Sequence, residues 1–199
     1  PHLVPDLPQK QKDALKQQVK IPLVYTTVML NNWKAMKELG IAAATCPGNM
    51  HHLVLADFPV SMGQREFPSS SKEPMAITMI NTPLSKEPGM PPKEQFKAGR
   101  FQLLATPYSA IENEIVEHLN GMLGLAGFDA ERDVNAITVN RWSHGYTYGG
   151  SNNHDTNMWK LTKLGRRPHG RITIANADSG GDAYASMAID QAWRAVKEL

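Results

Sequence analysis

The chain has 199 residues, 41% of them hydrophobic and 20% charged, with a formal net charge of +2. That length suits one domain or two small ones and can bury a real core, and the balance is that of a globular chain rather than a disordered one. The small charge and the lack of a dense Lys/Arg run argue against a nucleic-acid binder, no run of about 18 apolar residues predicts a membrane span, and Cys46, the single cysteine, can build neither an internal disulfide nor a cysteine-based zinc site.

The chain opens at Pro1 without a Met or a signal-like segment, which fits a processed or truncated product and equally a piece cut for expression. Residues 1–8 carry three prolines and read as an extended entry. Residues 9–20 are polar and helix-friendly, with apolar positions at Ala14, Leu15 and Val19, and predict a surface helix. Residues 21–30 (IPLVYTTVML) are rich in β-branched and aromatic side chains and predict a buried strand. Asn31 or Asn32 can cap a short helix over 32–39, which Gly40 ends. Cys46-Pro-Gly-Asn predicts a turn, and residues 52–58 and 76–81 two further strands. Residues 62–74 and 85–92 read as irregular, and 99–105 as a candidate strand. Residues 108–123 are the clearest amphipathic helix, with Ile111, Ile115, Leu119 and Met122 recurring every three or four positions. Residues 133–142 predict one more strand. Residues 143–155 are loaded with Gly, His, Tyr, Ser and Asn, too polar for a core element.

The last third carries the strongest pattern: a short strand over 170–176, the turn Asp178-Ser-Gly-Gly-Asp, and a helix from about 183 to 198. Gly180 and Gly181 allow a sharp bend. Asp182 can cap the helix behind it, whose first amides are unpaired and carry partial positive charge. Such an end attracts a phosphate or an electron-rich carbonyl oxygen. The face Met187, Ala188, Gln191, Ala192 and Ala195 is mostly small and can approach a sheet or a ligand closely. An ordinary strand-turn-helix packing unit would look much the same, because this is not the phosphate-binding GxGxxG pattern.

The segment resembles the C-terminal flavin-binding motif of the FAD amine oxidase superfamily, in which a strand runs into Ala-Gly-x-Asp/Glu, a variable turn and a helix that meets the flavin. Ala175-Asn176-Ala177-Asp178 matches it with Asn in place of Gly. The resemblance implies that Asp178 hydrogen-bonds the ribityl or pyrophosphate region and that Tyr184 is a cage aromatic beside the ring. The backbone of Ala185 would face the flavin N1/O2 edge, with Ala177, Asp182, Ala183 and Met187 in the same cofactor-contacting set. A second stretch, Arg141-Trp142-Ser-His-Gly-Tyr-Thr-Tyr-Gly-Gly-Ser151, is similar to the family's RW…G(G/S) segment. By that likeness Trp142 packs at the flavin, and Tyr146, Tyr148 and Asn152 reach the substrate. Tyr184 and His144 are the catalytic candidates, His144 as an orienting group or base. Ser151 stands where monoamine oxidases bond FAD through a cysteine, so the FAD is expected to be non-covalent. Residues 19–39 are similar to bacterial spermidine dehydrogenase-like members. Many relatives place a lysine inside the strand; here Lys20 precedes it, so a lysine-held water is not expected.

The implied fold is α+β: a mixed-sheet substrate-binding domain over 1–134, and a C-terminal strand-turn-helix over 135–199 that completes an FAD-binding domain. The implied reaction oxidises an amine, such as the polyamine spermidine, by hydride transfer to flavin N5. Rival readings are a flavoenzyme of the same superfamily acting on an amino acid or alkene, and a non-catalytic domain that kept the fold. The family holds the ADP part of FAD through an N-terminal GxGxxG half, its natural partner, which this chain lacks. The chain alone is therefore expected to be inactive. The partners implied are that half and a small amine, with a homodimer left open. The compartment implied is the periplasm, with the cytoplasm as alternative.

Other residues read more plainly. His51 and His52 are adjacent, so in a strand they point to opposite faces and make poor joint ligands. His144, His154 and Asp155 read as loop polar groups, and no metal is expected. Trp33 and Trp193 read as packing residues. Arg166-Arg167 reads as a solvated pair, or as a contact to an FAD phosphate. Cys46 has no activating partner in sequence.

Overall fold

Leu23–Leu30 forms β1, the strand that its β-branched and aromatic run demands. It lies inside a five-stranded sheet in a computed structural model that describes residues 2–150 and 157–199. The other strands are β2 (Ala43–Thr45), β3 (Leu53–Ala56), β4 (Met75–Asn81) and β5 (Val134–Trp142), in the order β2-β3-β4-β1-β5. Every pairing is antiparallel. The class is α+β as expected, while the mixed sheet is corrected to an antiparallel one.

The sheet belongs to a unit made of residues 22–84 and 97–143. Alternation along β1 buries Val24, Thr26, Val28 and Leu30 on one face. Met75, Ile77 and Met79 of β4 join them, in register with Leu30, Val28 and Thr26. Helix α4 (Tyr108–Leu123) covers this face with Ile111, Ile115, Leu119 and Leu123. Helix α2 (Lys34–Leu39) adds Ala35 and Met36 to the same core and ends at Gly40, whose φ of 66° only glycine adopts readily. The short helix α5 (Ala130–Asp133) leads into β5, and Asp129 caps it by accepting from Glu131 N.

Helix α3 (Pro92–Ala105) corrects the strand expected over 99–105. Phe101 and Leu104 are exposed, so they supply an apolar run without a buried strand face. Phe96 and Leu103, seven residues apart, are the buried ones, which is helical spacing. Gly99 hides that period. A Cβ there would sit 1.9 Å from Pro83 O, so the glycine lets the helix lie against backbone.

The second unit comprises Pro1–Ile21, Ser85–Phe96 and His144–Leu199. It holds α1 (Gln9–Gln17), α6 (Met158–Gly165), α7 (Ala177–Gly180) and α8 (Ala185–Lys197). Buried Gln11 ties α1 to the end of α6 by donating to Gly165 O at 3.1 Å and Arg167 O at 2.6 Å. The strand expected over 170–176 is not formed as a ladder. Among the described residues it makes one bridge, His169 to Ile172, because no neighbouring strand runs beside it.

Candidate functional site

Residues 19–21 pair with the Gly-Tyr-Thr-Tyr stretch in the second unit. Tyr148 N donates to Val19 O at 3.0 Å, Ile21 N to Tyr146 O at 2.8 Å, and Gly145 N to Ile21 O at 2.8 Å. Lys20 is thereby bridged to Thr147. Its ammonium reaches Asp178, 2.8 Å from Oδ1 and 2.9 Å from Oδ2. Both side chains are about three-quarters shielded from solvent, at 27% exposure each.

Asn176, which stands where the flavin motif has glycine, caps α7. Its Oδ1 accepts from Ser179 N at 2.9 Å, and its own N donates to Ser179 Oγ at 3.2 Å, a reciprocal capping box. Its Nδ2 also donates to Asp178 Oδ2 at 3.3 Å. The chain then turns through Gly181 at φ 80°. A Cβ on Gly149 would lie 3.3 Å from Gly181 O, so residues 145–150 run close against this turn. Three segments far apart in sequence, 19–21, 145–149 and 176–182, therefore meet.

Asp182 does not cap α8, contrary to expectation. Its Oδ1 accepts from Ala183 N at 2.8 Å, a local turn, and the cap position falls on Tyr184 with no side-chain cap. Among the described residues the start of α8 thus has no side-chain cap, and its positive end stands beside the Tyr184 ring, which is 69% exposed. Met187 packs over Gly180, where a Cβ would come within 2.1 Å of its Sδ. On α8, Gln191 and Ala195 are buried and Met187 and Ala188 half-buried, while Ala192 is exposed. Trp193 is exposed too, with Lys197 over its ring, which corrects its reading as a packing residue. Trp33 does pack against the core of the sheet unit.

Arg167 is exposed, and Arg166 is half-buried. Its Nη1 donates to Ser179 O at 2.9 Å and Gln191 Oε1 at 3.0 Å, which joins the end of α6 to α7 and α8. Arg194 adds a bond to the same Gln191 Oε1 at 2.9 Å and another to Ile174 O. Of the substrate candidates, Tyr146 is exposed and Tyr148 is half-buried, edge-on to Phe96 with ring centroids 5.4 Å apart. His144 is exposed. Trp142, at the end of β5 in the sheet unit, is 58% exposed. Asn152, with Ser151, His154 and Asp155, lies outside the described residues.

The fold is similar to that of putrescine oxidase. A solved structure of that oxidase, a double mutant redesigned for cofactor binding, matches 98% of this chain with a TM-score of 0.57 at 12% identity. The chain spans 38% of that oxidase's length. No protein-family model matches the chain, and no curated protein matches it by sequence. The likeness to putrescine oxidase is one of fold, compatible with part of a flavin amine oxidase architecture.

A second cluster, missed in sequence, lies in the sheet unit. His51 is fully buried. Its Nδ1 lies 2.7 Å from Glu114 Oε2 and its Nε2 2.9 Å from Thr26 Oγ1. Glu114 Oε1 accepts from Met50 N at 3.1 Å and His51 N at 3.4 Å. Burial pushes the Glu114 carboxyl up, and the hydrogen bond and charge of His51 outweigh it, so it stays below its ordinary range. Burial, with Glu114 nearby, raises the Cys46 thiol, which keeps it a poor nucleophile. Glu114 and His118, four residues apart on α4, were the one available signal. No group of three or more metal-ligating side chains is assembled among the described residues.

Proposed function

We propose that the chain is part of an FAD-dependent oxidoreductase that oxidises a small amine, and that residues 19–21, 145–149 and 176–185 make its cofactor-facing edge. The observation that carries the reading is the meeting of the two flavin-like motifs at the Lys20–Asp178 pair, within a fold similar to putrescine oxidase.

The residues present fit such a group. The helix end at Tyr184 and Ala185, which has no side-chain cap among the described residues, would offer its first amides to an electron-rich carbonyl edge. Gly149 lets residues 145–150 run close against the turn at Gly181 that precedes this helix end. When bound, FAD supplies the two-electron oxidation, accepting a hydride at N5.

The chain's own groups hold and orient. The amides of α8 would stabilise negative charge on a reduced flavin ring, as fixed dipoles do in other sites. The exposed rings of Tyr146 and Tyr184 can attract a protonated amine. Asp178, neutralised by Lys20, can meet a ribityl hydroxyl without repelling a nearby phosphate. His144, in the same unit as the three meeting segments, would take the place of an orienting base. The ADP part of FAD would be held by a dinucleotide-binding segment outside this chain. A polyamine such as spermidine is the favoured substrate class, since the fold's namesake likeness is to an oxidase of a diamine.

Reconstitution of the complete protein with FAD tests the reading. Quenching of flavin fluorescence at one equivalent is expected, and Tyr184→Ala should weaken it. A complete protein that takes up no FAD would sink the proposal.

A further inference from the structure

We infer that Glu114 and His118 form a proton-operated clamp on the turn that joins β2 to β3. This turn runs from Cys46 to His52, closed by Cys46 N donating to His52 O at 2.8 Å. One carboxylate holds it to α4. Glu114 Oε1 accepts two turn amides, those of Met50 and His51, while Oε2 takes the His51 ring. The His51 ring reaches on to Thr26 in β1, so the clamp spans helix, turn and central strand.

His118 stands one helical turn along from Glu114 and is nine-tenths buried. Its Nδ1 lies 3.6 Å from the same Oε1 that holds the two amides, beyond hydrogen-bond reach. Neither ring nitrogen has a partner among the described residues. A buried polar group left unpaired calls for an explanation. Here the orphan ring faces the carboxylate oxygen that holds the two turn amides. It also lines an open cavity of about 460 Å³ with Cys46, Asn49, Glu114, Glu117, Gly121 and Met122, so a proton can reach it from solvent.

The groups facing His118 are Glu114 and Glu117 on α4 and His51 and Cys46 on the turn. Burial holds the His118 imidazole below its ordinary value, and Glu114 opposes that shift. At neutral pH the ring is uncharged and leaves Oε1 to the amides. One proton taken from solvent makes it an imidazolium, which draws Oε1 toward Nδ1 and loosens Met50 N and His51 N. The clamp stands apart from the proposed amine oxidation.

The test is a pH titration of the complete protein from about pH 8 to about pH 5, the window in which histidine changes charge. Amide shifts of Met50 and His51 are followed beside the ring proton shifts of His118. The amides are expected to move with the midpoint of His118, and to stop moving in a folded His118→Gln variant. Glu114→Gln should also remove the coupled change. Two results would overturn the clamp: turn amides that stay still while His118 titrates, or amides that titrate unchanged in His118→Gln.

Discussion

Lys20 and Asp178, 158 positions apart, form a two-point ion pair, with the ammonium 2.8 and 2.9 Å from the carboxylate oxygens. The pair binds the residue just ahead of the central strand to the turn that precedes the last helix. It places Asp178 where residues 19–21, 145–149 and 176–182 meet and leaves its charge neutralised there.

A partly exposed ion pair contributes little to stability, about 0–1 kcal/mol. Lys20→Met should therefore lower the melting temperature slightly. Cofactor affinity should fall further, about tenfold or 1.4 kcal/mol, because an unneutralised Asp178 would repel the phosphates. Flavin titration of single and double variants measures this. Lys20→Met/Asp178→Asn should recover part of the loss.

Thr26 and His51 are both fully buried. Thr26→Val keeps the shape and leaves His51 Nε2 without its partner. A buried unsatisfied group costs about 1–3 kcal/mol, so denaturant unfolding should show a loss of that size. A change below about 0.5 kcal/mol would mean that the bond contributes nothing net.

Asp133 sets an acid limit on stability. Its carboxyl is lowered to about 2, first by the Arg132 hydrogen bond, against the opposing effect of burial, with help from Asp129 N and Asn32. A depressed carboxyl contributes stability that is present above its unfolded value of 3.8 and is lost as pH falls toward 2. The unfolding free energy should therefore drop between about pH 4 and about pH 2. The slope should be shallower in Asp133→Asn, as a pH series of urea melts would show.

Gly99→Ala should be among the most damaging substitutions in the sheet unit. The new Cβ would fall 1.9 Å from Pro83 O, a backbone atom that cannot rotate away. Overpacking of this kind costs about 1–3 kcal/mol, occasionally more. Gly180→Ala meets the flexible Met187 side chain instead, so it should cost less and be relieved by Met187→Ala.

Helix α4 was legible because its apolar stripe at Ile111, Ile115 and Leu119 faces one continuous core, and Gly124 and Gly127 follow its end. β1 was legible for the same reason, a dense β-branched run. Helix α3 was not, because Gly99 and two exposed apolar residues disguise its period. At the candidate site the Asp178 turn was visible from its glycines. Lys20 was not, since nothing local marks a lysine that is paired only by tertiary folding. Asp182 looked like a cap, and its carboxylate turned instead onto the next amide. The buried His51 was read for its neighbour His52, while its partners Thr26 and Glu114 lie 25 and 63 residues away.

The most direct test of the central claim is the absorbance spectrum of the complete protein, taken without oxygen before and after adding a polyamine such as spermidine. Flavin bands that bleach on addition are the predicted result. A protein that shows no flavin bands even after reconstitution with FAD would contradict the account.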